Sequence, residues 1–383
     1  MKKIICTVIL TASCILSVKA QIADGFYHFK NTVTGRTISI NDTDPSNYPV
    51  SQSGDVNMAG IRTYINYDSV AVSPSCVIFV RNLENGGYDL IGQGSSLYNM
   101  ANKKLAINII PSANGSYKLS GTANGITKVL SDGSAKNDDS WMMNRLVETQ
   151  DWYARPINTT NEFIAIRPDV KTADGAYYGT IYAGFNFRLA SPGMVAFYVS
   201  NASGAGFTME PIEEDVIPAG TPVIIRCNSA NIEDNKIEPI AGGDSFKHNN
   251  WLGGVYCSLD VTKHHNITPF DRLTMRVLGL SDDGKLAFVA NPAPERLYKG
   301  YIENNRTYGY LMANKAYLKV DANDAEVMTL GGYTPEAING VKTDVKAKTG
   351  IYTLTGVKVK EDNNIEGLKK GIYIIDGKKQ VIQ

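Results

Sequence analysis

The amino-acid sequence predicts an all-β protein, and three observations support this prediction. Runs rich in Val, Ile, Tyr, Phe and Thr recur at intervals of about ten residues, as strands of such proteins do. Gly, Asn, Asp, Ser and Pro separate the runs, and these residues favour turns. In "TMRVLGLSDDGKLAFVA", two apolar runs flank Ser281–Gly284, where glycine can take the positive φ that a tight hairpin needs.

The first residues, "MKKIICTVILTASCILSVKAQ", predict a secretory signal peptide over residues 1–20. Two lysines precede an apolar run, and small residues stand at the expected cleavage point after Ala20. The run is short for a membrane span, so we expect no transmembrane segment after cleavage. Lipid attachment at Cys14 is an alternative, which we disfavour because "ILSV" continues the apolar run beyond the cysteine.

One stretch departs from the strand pattern. Between Asp55 and Val70, the apolar residues Met58, Ile61 and Ile65 follow a helical spacing behind a potential cap at Asp55. We therefore expect a short amphipathic helix inserted between strands.

Residues 21–158 show a faint internal repeat. "GFYHFKNTVTGRTISI", "GGYDLIGQGSSLYNM" and "GSYKLSGTANGITKVLSDG" each enter an aromatic-led strand, turn on Gly or Asn, and resume an apolar strand. This region resembles ricin-type β-trefoil modules, and Gln150-Asp151-Trp152 matches the QxW element of that family. The resemblance implies a β-trefoil-like domain, although the other two units have no recognisable QxW element.

Residues 159–333 are denser in strand formers, and prolines and glycines mark the turns. We predict a β-sandwich here. The phrases "IPAGTPVII" and "ANKAYLKV" resemble the middle region of uncharacterised secreted and surface proteins of the Bacteroides and Prevotella type.

Residues 334–383 predict a linker and a small β-unit that ends in a hairpin at Asp376-Gly377. We expect Ile351, Leu354 and Val357 to pack against an apolar set further along the chain: Leu368, Ile372, Ile374 and Val381. "IYTLTGVKV" and "KKGIYII" resemble the C-terminal sorting domain of the type IX secretion system. The resemblance implies contact with export machinery, and a retained β-appendage is the alternative.

Charge and cysteine content exclude several classes of protein. The 38 basic and 38 acidic residues give a formal net charge of zero, so we expect no general attraction to nucleic acid or anionic lipid. Past the leader, Cys76, Cys227 and Cys257 are too few for a disulfide framework, although one pair plus a free thiol is allowed. We interpret Cys227 as a small core residue.

The sequence predicts no metal site and no cofactor. His248, Cys257, His264 and His265 share one stretch, but zinc ligands usually pair at tighter spacing, and adjacent histidines on a strand point to opposite faces. We expect these histidines to face water. Acidic runs such as "DANDAE" lack the ligand ladder of a calcium loop and are better explained as turns.

No catalytic residue is predicted, because the sequence has neither a Gly-x-Ser-x-Gly elbow nor a phosphate-binding loop. Glu213, Glu214 and Asp215 are consecutive, which we interpret as the solvated edge of a strand. Carboxylates that converge only in three dimensions would make the protein a secreted, glycosidase-like hydrolase, and this is the alternative hypothesis.

The leading hypothesis is an exported, non-enzymatic binding or adhesion protein that reaches the cell surface, the outer membrane or the medium through the periplasm. Its partner would be a glycan or an extracellular protein. Aromatic rings in turns can stack on sugar faces, so the candidate ligand-binding residues are Trp141, Trp152 and Trp251. Trp251, in "HNNWLGGVY", has the most loop-like setting.

Overall fold

The computed structural model is all-β and describes most of the chain. The described residues are 21–40, 61–64, 67–84, 86–93, 95–96, 99–100, 103–104, 107–123, 126–132, 147–256, 258–261, 264–331, 351–353, 358–360, 362, 364–375 and 378–382. They divide into two compact units, residues 1–330 and residues 331–383.

In its described residues, the first part of the larger unit contains twelve strands, in line with the strand-rich pattern of its sequence. They are β1 (Gly25–Asn31), β2 (Thr37–Ile40), β3 (Ile61–Tyr64), β4 (Ile78–Asn82), β5 (Tyr88–Gly92), β6 (Ser95–Ser96), β7 (Asn99–Met100), β8 (Lys103–Lys104), β9 (Ile107–Pro111), β10 (Tyr117–Ala123), β11 (Ile126–Val129) and β12 (Asp151–Pro156). One α-helix, α1 (Tyr67–Ala71), occurs in the described ranges.

Six of these strands pair in a closed antiparallel ring. β1 pairs with β4, β4 with β5, β5 with β9, and β9 with β10, and β12 joins β10 back to β1. Closure gives each member a partner on both sides, so the ring has no free strand edge. The pseudo-threefold arrangement of a β-trefoil stays a prediction.

A single apolar cluster joins all six strands of the ring. Inward-facing residues alternate along each strand, as Tyr27 and Phe29 do on β1. The other buried members are Ile22, Ile38, Ile78, Val80, Tyr88, Leu90, Ile109, Leu119, Leu130 and Trp152. These residues form the core of the first part of the unit.

The prediction of an amphipathic helix over residues 55–70 is wrong for residues 61–64, which form strand β3, and is confirmed for residues 67–70, which belong to α1. Ile61 lies in strand β3 and pairs with Ile40 of β2. In the described part of this stretch, the helical residues are the five of α1. "IRTY" places a β-branched residue at alternate positions opposite "TISI", so cross-strand pairing outweighs a helical spacing of only three apolar residues. Residues 55–60 and 65–66 lie outside the described part.

The second part of the larger unit contains the next seventeen strands. They are β13 (Ile164–Ala165), β14 (Val170–Lys171), β15 (Tyr177–Ile181), β16 (Asn186–Leu189), β17 (Val195–Ser203), β18 (Gly206–Pro211), β19 (Val223–Cys227), β20 (Lys236–Ile240), β21 (Leu252–Val255), β22 (Leu259–Val261), β23 (His264–Asn266), β24 (Met275–Leu280), β25 (Leu286–Val289), β26 (Tyr298–Glu303), β27 (Arg306–Tyr310), β28 (Lys315–Lys319) and β29 (Val327–Leu330).

Two sheets of this second part share one core, which is a sandwich-like arrangement. The ten-stranded sheet has the order β14-β15-β19-β17-β18-β29-β25-β24-β28-β21, and the smaller sheet has the order β13-β20-β16. Phe187 of the smaller sheet and Ile225 of the larger one lie in the same buried cluster. Val77, which precedes β4, also belongs to this cluster, so the core continues into the first part of the unit.

The hairpin predicted at Ser281–Gly284 is confirmed. β24 and β25 pair antiparallel on either side of it, and the Ser281 N–H donates to the Lys285 carbonyl over 2.9 Å. Gly284 has a φ of +75°, which a side chain would strain. Turn chemistry alone therefore identified this connection.

The C-terminal unit contains β30 (Ile351–Thr353), β31 (Lys358–Lys360), β32 (Gly371–Ile375) and β33 (Lys378–Ile382), in the order β31-β30-β32-β33. Ile375 pairs with Lys378, so two residues connect β32 and β33 as predicted. Those two residues, together with Leu354, Val357 and the side chain of Ile374, lie outside the described part.

The predicted packing of Ile351 against Ile372 and Val381 is wrong. Ile351 instead pairs with Ile375, and both are buried. Ile372 and Val381 pair with each other and are 40% and 64% exposed. Ile372 and Ile375 are three residues apart on one strand and therefore project from opposite faces of the sheet.

Candidate functional site

Trp152, one of the three candidate tryptophans, lies in the core of the six-strand ring. Its side chain is completely buried, and its indole N–H donates to the Leu130 carbonyl over 3.2 Å. A ring enclosed in this way has no face on which a sugar could stack, so Trp152 is no longer a ligand-binding candidate. Trp141 lies outside the described residues.

Trp251 stands at the end of the loop that connects β20 to β21, and we call residues 241–251 the Trp251 loop. Its side chain is 37% exposed. The backbone is fixed on both sides, because the Trp251 N–H donates to Val199 and its carbonyl accepts from Lys319, over 2.9 and 3.1 Å. The exposed ring therefore projects from an anchored position.

Asn250 fixes the same loop through its side chain. Its Oδ1 accepts from the Val199 and Leu252 N–H groups over 3.2 and 3.1 Å, and its Nδ2 donates to the Pro222 carbonyl over 2.8 Å. One amide thus connects the Trp251 loop to β17, to the start of β21 and to the approach to β19. Preorganisation of this kind lowers the entropy cost of binding a ligand.

An aromatic cluster lies along the Trp251 loop. The ring of His248 stacks on Tyr198 of β17 with a centroid distance of 5.0 Å, and Phe246 meets the two rings at 5.5 and 5.3 Å. Glu214 lies 3.3 Å from the Nε2 atom of His248. We call Tyr198, Glu214, Phe246, His248 and Trp251 the Trp251 surface.

The Trp251 surface combines flat apolar rings with hydrogen-bonding groups. A bond from its own backbone N–H, and then the contact with His248, lower the pKa of the Glu214 carboxyl below its ordinary value. Glu214 is therefore ionised at neutral pH and can accept hydrogen bonds, while His248 can donate them. Tyr198 is 53 positions away from Trp251 in the sequence, and no local pattern pointed to it.

A second candidate, which we call the phenylalanine cleft, opens between the six-strand ring and the sandwich-like part of the unit. It has a volume of about 220 Å³. Phe26 and Phe79 lie with ring centroids 4.9 Å apart, and Phe26 and Phe185 with centroids 6.1 Å apart. No local sequence pattern points to this cleft, because its walls come from segments far apart in the chain.

Backbone contact and buried amides hold the two walls of the cleft together. A Cβ on Gly184 would lie 2.3 Å from the Gln93 Cα, so only glycine permits this approach. Gln93 Nε2 donates to the Tyr256 carbonyl over 3.0 Å, and Gln93 Oε1 accepts from Asn314 Nδ2 over 2.8 Å. The cleft is therefore formed before any ligand arrives.

The histidines do not assemble a metal site in the part of the chain that the structure describes, where no group of three or more metal-binding side chains occurs. His28 is buried and lies 2.7 Å from Glu162, whereas His248 is exposed and belongs to the Trp251 surface. His264 and His265 occupy β23, and their side chains, like Cys257, are outside the described part.

The two described cysteines are buried and free of disulfides. Burial raises the pKa of the Cys76 and Cys227 thiols to about 12, so neither is an activated nucleophile. Cys227 belongs to the sandwich core, which confirms its interpretation as a core residue.

The acidic runs lie in turns and loops. Asp324 of "DANDAE" accepts from the Gly204 and Asp321 N–H groups over 2.6 and 2.8 Å, which confirms the turn interpretation. Glu213, Glu214 and Asp215 are exposed, but they lie in the loop after β18. Their placement on a strand edge was wrong, because β18 ends at Pro211.

Comparisons of the chain with protein-family models, with curated proteins and with solved structures find no match. Within the described ranges, no helix has the length and apolar character needed to cross a membrane.

Proposed function

We propose that this protein is an exported, non-enzymatic binding or adhesion protein that holds a glycan, or a glycan-bearing protein, on its Trp251 surface. One observation carries the proposal: a partly exposed tryptophan projects from a loop that Asn250 and two backbone bonds fix in place. Large rigid aromatic side chains on anchored loops are frequent in binding sites.

The chemistry of the surface favours a sugar. The apolar C–H face of a pyranose can stack on an indole or phenol ring, and its hydroxyls need donors and acceptors nearby. Tyr198 and Trp251 supply rings, while Glu214 and His248 supply an acceptor and a donor. The formal net charge of zero is consistent with a neutral glycan.

The route out of the cell is part of the proposal. The leader over residues 1–20 would direct the chain to the periplasm, and the sorting-like unit over residues 334–383 would engage export machinery. The closed ring formed by β1, β4, β5, β9, β10 and β12 supports a β-trefoil-like first domain, a fold that often carries sugar sites. The protein would then lie at the cell surface or outer membrane, or in the medium.

The competing function is a glycosidase-like hydrolase. A general acid of that class needs a carboxyl group with a raised pKa. Several carboxyl groups in the described residues have a lowered pKa, because hydrogen bonds and neighbouring cations stabilise their ionised forms. These groups are Asp24, Asp151, Asp169, Asp174, Glu214, Asp271 and Asp283. Such carboxylates suit ion pairs and turns better than proton donation.

A glycan array tests the proposal. The mature protein should bind a defined set of glycans, and Trp251→Ala should lose that binding while its circular dichroism spectrum is unchanged. Tyr301→Ala is the matched control, because Tyr301 is an exposed aromatic residue on a different strand, β26. The absence of binding to any glycan or glycoprotein, or hydrolysis of a bound glycan, would overturn the proposal.

Cell fractionation with mass spectrometry of both chain ends tests the export route. We expect the leader to be absent from the mature protein and the protein to be found outside the cytoplasm. An intact chain in the cytoplasm would contradict this part of the proposal.

A further inference from the structure

We infer that the phenylalanine cleft binds a neutral ligand with a single aromatic ring and a hydrogen-bond acceptor. This inference does not rest on the glycan proposal, because no residue of the Trp251 surface lines the cleft, although Ala241 and Gly242 of the Trp251 loop do. It starts from the lining, which contains apolar side chains from both walls and two amides, Gln93 and Asn186.

The lining selects for a ligand without charge. None of the described lining residues is ionisable. A charged ligand would lose its hydration on entry and would find no opposite charge in the walls, so its binding is disfavoured. A neutral ligand avoids this cost, because the cleft exchanges its contact with water for contact with apolar side chains.

Size and shape indicate one ring. An engineered apolar cavity of about 150 Å³ binds benzene, so a cleft of about 220 Å³ accommodates a single ring with a small substituent. Phe26, Phe79 and Phe185 offer tilted rings, and an aromatic guest gains edge and face contacts with them beyond simple burial. A sugar would bury hydroxyls that this lining cannot satisfy.

Asn186 provides the polar contact. Its Oδ1 accepts from the Ala219 N–H over 2.7 Å, and within the described part of the chain its Nδ2 donates to no other group. The Gln93 amide, in contrast, is engaged on both sides by Tyr256 and Asn314. An acceptor on the ligand, such as a ketone oxygen, would pair with the Asn186 amide.

The test uses acetophenone, a neutral ring that carries a ketone, and the mature protein. Calorimetry and saturation-transfer NMR should show saturable binding with a dissociation constant of about 1 mM or tighter, as small ligands allow. Cyclohexyl methyl ketone, benzoate and methyl β-glucoside are comparison ligands that change the ring, the charge or the whole chemical class. Each should bind at least about tenfold more weakly.

Two variants connect the binding to the cleft. Ala241 is exposed at the mouth, so Ala241→Trp should block entry and abolish acetophenone binding without disturbing the core. Asn186→Asp keeps the acceptor for Ala219 but loses the amide donor, and should weaken binding about tenfold. Tyr301→Ala, outside the lining, should bind as the wild type does. Circular dichroism shows whether each variant is folded.

Three results would overturn the inference. One is the absence of saturable acetophenone binding, and another is binding that a folded Ala241→Trp variant leaves unchanged. The third is tighter binding of benzoate or of the glucoside than of acetophenone, which would replace the neutral aromatic class with another.

Discussion

The two parts of the larger unit are stabilised in different ways. In the six-strand ring, the buried cluster is apolar and contains Trp152, whose one polar atom has a backbone partner. The sandwich-like part encloses a carboxylate that is paired with two cations, and an arginine. Asp169 is 5% exposed and contacts both Arg296 and Lys315, and Arg276 is enclosed by backbone carbonyls.

This difference follows from how each part satisfies its backbone. In the closed ring, strands pair on both sides and the enclosed cluster is apolar, while buried polar side chains of this part, such as Asn31 and Asp132, lie outside that cluster. In the second part, the turn between β28 and β29 does not belong to a strand pair. Arg276 donates to the carbonyls of Asp324 and Ala325 in this turn. Buried charge thus holds irregular segments that strand pairing does not reach.

Replacement of Trp152 should lower the stability of the protein more than any other change considered below. Trp152→Ala removes a fully buried indole and leaves a cavity among residues from all six strands. We expect the free energy of unfolding to fall by about 4–5 kcal/mol, near the upper end for such truncations. Chemical denaturation followed by circular dichroism measures this loss.

Trp152→Phe is the matched variant, because it keeps an aromatic ring and loses the bond to the Leu130 carbonyl. Its cost should be clearly smaller than that of the alanine variant. Equal costs would mean that the hydrogen bond, and not the packing, stabilises the ring.

Loss of the buried carboxylate should be the next largest effect. Asp169→Asn preserves shape but leaves the partly buried charges of Arg296 and Lys315 without their counter-ion. We expect a loss of about 3 kcal/mol, at the lower end for a broken buried pair because both cations retain some exposure. Denaturant midpoints of wild type and variant give the difference.

Asp283→Asn is the control for this experiment. The pKa of Asp283 is also lowered to about 2, first by its hydrogen bond with Lys285 and then by that with Ser281, but Asp283 lies on the surface. Solvent screens such a pair, so the variant should unfold at the wild-type midpoint. A large effect at Asp283, or none at Asp169, would refute the assignment of buried charge as the stabilising element.

The same carboxylate predicts a pH dependence. Burial alone would raise the pKa of Asp169, but the charges of Lys315 and Arg296 outweigh it and lower the pKa from 3.8 to about 2. Because the folded-state pKa is lowered, the stabilisation is present above pH 3.8 and is lost as the pH falls through 2. This shift corresponds to about 2 kcal/mol.

Urea denaturation between neutral pH and pH 2 measures this term as a difference between proteins. Wild type and Asp169→Asn share every other titrating group, so the stability gap between them should shrink by about 2 kcal/mol over the acidic range. A gap that stays constant with pH would show that Asp169 does not titrate as its surroundings indicate.

Local patterns predicted the parts of the fold that depend on neighbouring residues. The all-β class and the hairpin at Ser281–Gly284 follow from strand formers and turn formers that lie next to each other in the chain. The helix predicted around Ile61 failed because a strand partner, β2, outweighed a weak local spacing. In the C-terminal unit, the period of two along β32 decides which isoleucines are buried, and the predicted packing of Ile351 against Ile372 does not follow that period.

The candidate sites were predictable only in part. Trp251 was identified because turn-forming residues surround it, but Tyr198 and Glu214, which contact His248 of the same loop, come from other segments. The phenylalanine cleft joins Phe26 and Phe185, which only the tertiary fold brings to one place. A contact made across such a separation in the chain leaves no local spacing from which it could be predicted.

The smallest expected effect compares the two described tryptophans. Trp251 is 37% exposed and anchored through its backbone, so Trp251→Ala should lower the free energy of unfolding by less than about 1 kcal/mol. The same variant should abolish glycan binding. Asn250→Ala should have a larger effect on stability, because it removes three hydrogen bonds, and we expect the free energy of unfolding to fall by about 1–2 kcal/mol. If Trp251→Ala instead destabilised the protein as much as Trp152→Ala, Trp251 would be a core residue, and the Trp251 surface would lose its basis.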